Sequence, residues 1–166
     1  MSGNVKLSEG IEWGLHCATL VAVLPPDATL PASRLAEYHG VPAPYLAKHL
    51  QALSRAGILQ SGSGPSGGYR LARPATEITV LEVVEAIDGD EPAFRCAEIR
   101  RRGPTARPAR EYKGMCGVHA AMNRADAAWR AELRTVTLAD LMVSAVEGAP
   151  QKSLEVGVQW IQEAVR

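Results

Sequence analysis

The 166-residue chain carries 18 Lys plus Arg against 18 Asp plus Glu, so its zero formal charge points neither to nucleic acid nor to an acidic partner. Its length suits one ordinary domain, or a small domain with an added dimerisation helix; 5% aromatics with a single Phe favour helices packed through Leu, Val and Ala over a large sandwich. The apolar run Leu20 to Leu24 stops at Pro25-Pro26, too short for a bilayer, and no secretory pattern opens the sequence, so a cytoplasmic protein without membrane contact is expected.

In chain order, Ser8 is placed to cap a first helix near 8–24, with Ile11, Leu15, Ala18 and Ala22 at helical spacing. Thr29-Leu30-Pro31 opens a short helix through Tyr38, His39-Gly40-Val41 makes a turn, and Pro42 to Ala56 forms a second helix ended by Gly57. Two helices across a tight turn containing Gly are the pattern of a helix-turn-helix. Leu59 to Ser61 and Tyr69 to Leu71 read as short strands around a glycine-rich connection, a wing-like hairpin. Thr79 begins a helix through Ile87, stopped by Asp88-Gly89-Asp90. A polar segment rich in Pro, Gly and Arg follows from Glu91 to Gly117, with Arg100, Arg101, Arg102, Arg107, Arg110 and Lys113 crowded together. His119 to Thr135 is long enough for a dimerisation helix, and Thr137 to Val146 and Leu154 to Val165 form a C-terminal pair.

The expected fold is therefore mainly α: a winged helix-turn-helix with a small β-hairpin wing, a cysteine loop and a long dimerisation helix. The organisation divides at 1–90 for DNA binding, 91–117 for the loop and 118–166 for dimerisation and the C-terminal helices.

Gly62 to Gly67 spells G-x-G-x-x-G, but a dinucleotide turn needs a following helix, and Gly68 to Pro74 returns as a strand and a proline. No Lys-Ser or Lys-Thr follows, which removes a P-loop. No nucleophile elbow or other cofactor loop points to an enzyme. In a wing, the glycines instead bring backbone close to a phosphate strand, with Ser63 at the tip and Arg70 placed to neutralise a phosphate. Pro42, Ala43, Pro44 and Tyr45 at the start of the second helix, then Lys48, His49 and Arg55, are the candidates for the major groove.

The runs Val41 to Lys48, Leu50 to Leu59, Gly64 to Tyr69 and Ile78 to Gly89 resemble the dimeric winged-helix regulators of the IscR, NsrR and RirA type. Many of these hold an iron-sulfur cluster through three closely spaced cysteines after the Ile-Asp-Gly helix. Here only Cys96 and Cys116 lie there, 20 residues apart, and two thiolates cannot complete a four-ligand cluster. The run Leu7 to Cys17, with the two-cysteine loop, looks like the RsrR subgroup. That resemblance implies a 2Fe-2S cluster with Glu12 and His16 from one subunit and Cys96 and Cys116 from the other. Glu12 and His16 stand at i and i+4, on one helical face roughly 6 Å apart. Replacing thiolate by carboxylate and imidazole makes the core's formal charge about −1 rather than about −2, easing one-electron reduction. Trp13 falls between them in sequence and is a candidate relay of the cluster's state. Cys17 is read as buried filler or reserve thiol, and His39 as a turn residue. The partners implied are palindromic double-stranded DNA and a second copy of the chain. A switch built on cysteine thiols or nitric oxide, with no stable cluster, is the alternative.

Overall fold

A computed structural model of the chain describes residues 7–62, 64 and 67–165. Its elements run α1 (Glu9–Ala22), α2 (Ala32–His39), α3 (Ala43–Arg55), β1 (Leu59–Ser61), β2 (Tyr69–Leu71), α4 (Val80–Asp88), α5 (Gly117–Thr135), α6 (Leu138–Gly148) and α7 (Gln151–Ala164). They fall into two compact units, one of residues 1–89 and 133–166, the other of residues 90–132.

In the larger unit α1 buries Ile11, Gly14, Cys17, Ala18 and Val21, a helical stripe that leaves Leu15 only half-covered. Around it sit Leu35 of α2, Leu46, Leu50 and Leu53 of α3, and Val83 of α4, all fully buried. Each such side chain stabilises the fold by about 1.5–3 kcal/mol relative to exposure. Two glycines of α1 set how closely it approaches its neighbours. A Cβ on Gly10 would fall on the His49 ring of α3, and one on Gly14 would fall on Ile87 of α4. Ser8 occupies the N-cap position but makes no capping bond. Its hydroxyl donates to Asp88 Oδ1 (2.5 Å) and its N–H to Oδ2 (3.1 Å), because the end of α4 offers a charged acceptor beside it.

Gly40 takes a left-handed φ of 64° between α2 and α3, which closes the helix-turn-helix without the Cβ clash another residue would suffer. β1 and β2 pair antiparallel, Leu59 opposite Leu71, Gln60 opposite Arg70 and Ser61 opposite Tyr69. A third segment joins them: Leu30 exchanges both backbone bonds with Tyr69 (2.8 and 3.1 Å) and fastens the start of α2 to the wing. Thr79 and Glu82 cap α4 reciprocally, and Arg73 reaches from beyond the wing to Glu82 (2.6 Å) and to the carbonyl of Glu77 (2.9 Å).

The sequence groups the C-terminal helices with the dimerisation helix, whereas α6 and α7 belong to the larger unit. Val80 N–H donates to the Val136 carbonyl (2.8 Å) and Leu138 N–H to that of Ile78 (2.9 Å), Leu138 is fully buried, and Thr137 and Asp140 form a second reciprocal cap. Trp160 of α7 lies edge-on to Tyr38 of α2 (4.8 Å between centroids) and under the guanidinium of Arg34 (4.7 Å).

The smaller unit holds two 3₁₀ turns, Ile99–Arg101 and Ala109–Glu111, and most of α5. Polar contacts organise it. Arg130 pairs with Asp126 (2.8 Å) and donates to the Asp90 carbonyl (2.8 Å), and Tyr112 donates its hydroxyl to the Arg100 carbonyl while Arg100 lies over its ring. No described residue of α5 is buried.

Candidate nucleic-acid interface and cluster ligands

On α3 the buried Leu46, Leu50 and Leu53 turn one face to the core, so helical geometry turns Pro42, Pro44, Tyr45, Lys48 and Arg55 outward. Tyr45 is 68% exposed, a large aromatic presented to solvent on the first turn. Ala43 is half-buried. His49 departs from the groove-facing set. Its ring packs over Gly10 and meets Trp13 edge-on (6.1 Å, 81°), since its position on α3 falls beside α1.

On the wing, Arg70 donates Nε to Gln60 Oε1 (3.2 Å) across the strand pair and Nη1 to Asp27 Oδ1 (3.1 Å) in the connection between α1 and α2. Gly62 N–H bonds the Gly68 carbonyl (2.8 Å) and Gly67 N–H that of Gly64 (2.9 Å), holding the hairpin together. Ser63 lies outside the described residues.

Of the cluster candidates on α1, Glu12 and His16 are both exposed. His16 has an aromatic neighbour that the sequence reading missed: the His39 ring, 5.7 Å away and tilted by 49°. Burial, then the nearby His16, hold the His39 imidazole below its ordinary pKa against an opposing backbone bond to His16, and His39 Nε2 is buried without a partner. A turn position was the only signal for His39, and it carries no information about ring contacts. Cys17 is fully buried, and burial pushes its thiol up to about 12, which leaves it an inert apolar filler.

In the smaller unit Cys96 and Cys116 are half-buried and share an electrostatic neighbour, the Arg100 guanidinium, which also binds Glu98 (2.9 Å). Backbone N–H groups of His119 and Val118, at the start of α5, and then Arg100 hold the Cys116 thiol below its ordinary pKa. Cys96 Sγ accepts the Glu98 N–H (3.4 Å). Within neither unit do three or more described His, Cys, Asp or Glu side chains gather as a metal site. Among the described residues, no helix is long and apolar enough to cross a membrane.

The profile of the Rrf2 family, described as an iron-dependent transcriptional regulator, matches residues 7–144. The chain belongs to the Rrf2 family. Protein aau3 of Rhizobium meliloti (strain 1021) is 35% identical over 125 residues, 75% of each chain. Protein rrf2 of Nitratidesulfovibrio vulgaris is 29% identical over 138 residues, 83% of this chain and 87% of that one. Among solved structures, T. potens IscR superposes with a TM-score of 0.65 at 20% identity, covering 88% of this chain and 93% of that one. The oxidised form of Staphylococcus aureus CymR superposes with a TM-score of 0.61 at 23% identity, covering 82% and 95%. At those identities the likeness establishes the winged-helix fold. Family membership makes the chain a DNA-binding transcriptional regulator rather than an enzyme.

Proposed function

We propose that this Rrf2 protein acts as a homodimer whose DNA affinity responds to redox state through a 2Fe-2S cluster, held by Glu12 and His16 of one subunit and by Cys96 and Cys116 of the partner subunit. The observation that carries the reading is the junction of α1 with α3: Trp13, adjacent to Glu12, lies edge-on to His49, and Gly10 seats the same ring. A small displacement of the helix bearing two of the ligands therefore moves the helix offered to the major groove. The donor set fits such a cluster chemically. Glu12 and His16 are accessible on one helical face, and the two thiols of the smaller unit lie about one guanidinium, that of Arg100. Bound there, the cluster would supply one-electron redox chemistry. Glu12 and His16 then anchor α1, Cys96 and Cys116 anchor the loop, and α5, with none of its described residues buried within the chain, supplies the dimer contact. The DNA-facing set is Pro42, Ala43, Pro44, Tyr45, Lys48, Arg55 and the wing's Arg70 and Ser63, on half-sites about one helical turn apart or a multiple of it.

Anaerobic purification of wild type and His16→Ala tests the ligand set. The expected result is a coloured wild type with two irons per bridged site, an iron content lost in His16→Ala, and tight operator binding only when oxidised. Equal affinity of the oxidised, reduced and iron-free forms in a gel-shift titration contradicts the mechanism. The lowered pKa of Cys116 supports a second reading, a thiol switch at Cys96 and Cys116; a colourless protein whose binding responds to peroxide would establish it.

A further inference from the structure

Arg70 is held before any duplex arrives. Its Nη1 is paired with the Asp27 carboxylate at 3.1 Å and its Nε with Gln60 Oε1 at 3.2 Å. Asp27 adopts a left-handed φ of 65°, a conformation that Asp, with Asn, enters more readily than other non-glycine residues, and the turn there carries its carboxylate to Arg70. The Asp27 side chain is 93% exposed and that of Arg70 39%, which makes the pair weak, screened by salt and open to exchange for another anion. A DNA phosphate is such an anion, and engaging it releases condensed counterions.

We infer that Asp27 is a specificity-determining residue for DNA binding: its carboxylate occupies the wing arginine, so a phosphate gains Arg70 only by displacing Asp27, and the displaced charge stays beside the duplex to oppose it. The inference rests on the reading of the wing as a phosphate contact. Backbone attraction alone then binds weakly, and only a site that adds base contacts from α3 offsets the opposition. Generic affinity falls more than operator affinity, and the ratio between them rises.

The test is fluorescence anisotropy with a random-sequence 30-base-pair duplex across a salt series, using wild type, Asp27→Asn, Arg70→Ala and the double variant. Asn preserves side-chain size and tolerates the left-handed backbone; Asp27→Gly is the second variant should Asn alter the thermal melt. Asp27→Asn is expected to bind random DNA about 3- to 10-fold more tightly at low salt, with a salt slope steeper by about one. Arg70→Ala flattens the slope by about one, and adding Asp27→Asn to it recovers less than half the single-variant gain. On an operator selected from a random pool, Asp27→Asn gains less than on random DNA. An unchanged slope in Arg70→Ala overturns the wing reading itself. A slope lowered in Arg70→Ala but unchanged in Asp27→Asn overturns only the role of Asp27. Weaker binding by Asp27→Asn also overturns it, because Asp27 then merely steadies Arg70.

Discussion

Gly10→Ala probes the junction of α1 with α3 at a single methyl group. The added Cβ would stand 2.6 Å from both ring nitrogens of His49, about 1 Å inside ordinary contact, and Trp13 braces that ring edge-on. Either the imidazole turns out of its seat or α3 moves away from α1, and overpacking of this kind costs about 1–3 kcal/mol. For a chain of this size each 1 kcal/mol shifts Tm by about 2–4 °C, so Gly10→Ala should melt about 2–12 °C below wild type. In a His49→Ala background the obstruction is gone. The helix propensity of Ala over Gly then stabilises by up to about 1 kcal/mol, and the same substitution should raise Tm. Operator affinity should follow, reduced in Gly10→Ala and recovered in the double variant. Calorimetry on the four proteins, with anisotropy on the same samples, measures both. If Gly10→Ala raises Tm equally in both backgrounds, α1 does not press on His49 and the proposed route from cluster ligands to DNA is wrong.

Three other outcomes follow from individual side chains. In native apo protein at pH 8, a disulfide reagent should modify Cys116 well before Cys17, whose thiol is pushed up to about 12 by burial; labelling followed by peptide mass analysis reads the order, and rapid native labelling of Cys17 contradicts it. Glu82 is pushed up by burial but held below its usual 4.5 overall by bonds from Thr79 and Arg73, so its contribution is present above about 4.5 and lost as pH falls through its folded value. Urea midpoints between pH 7 and 3 should therefore fall less steeply on the acid side for Glu82→Gln than for wild type. Trp160→Ala removes the ring contacts with Tyr38 and Arg34 and should cost about 2–3 kcal/mol in urea unfolding, whereas a loss under about 0.5 kcal/mol would show that α7 does not hold α2.

Much of the architecture is legible in the sequence because its signals are local. Gly40 ends α2, Thr79 with Glu82 begins α4, Thr137 begins α6, and the two strands of the wing lie where their residues were read, since caps and turn chemistry act over three or four residues. The candidate DNA face of α3 follows from its period once Leu46, Leu50 and Leu53 turn to the core. Cys17 could be separated from Cys96 and Cys116 by its place on an apolar helix.

What the sequence determined by itself was the order of elements, the wing and the residue types offered for DNA contact and for the proposed cluster, because backbone propensity and helical period are properties of short stretches. Only the tertiary structure decided that His49 turns to α1, that His39 lies by His16, that Asp27 holds Arg70, and that Trp160 of α7 meets Tyr38 of α2. Each of these joins residues distant along the chain. Periodicity tells which face of a helix is buried, and only packing tells what that face meets.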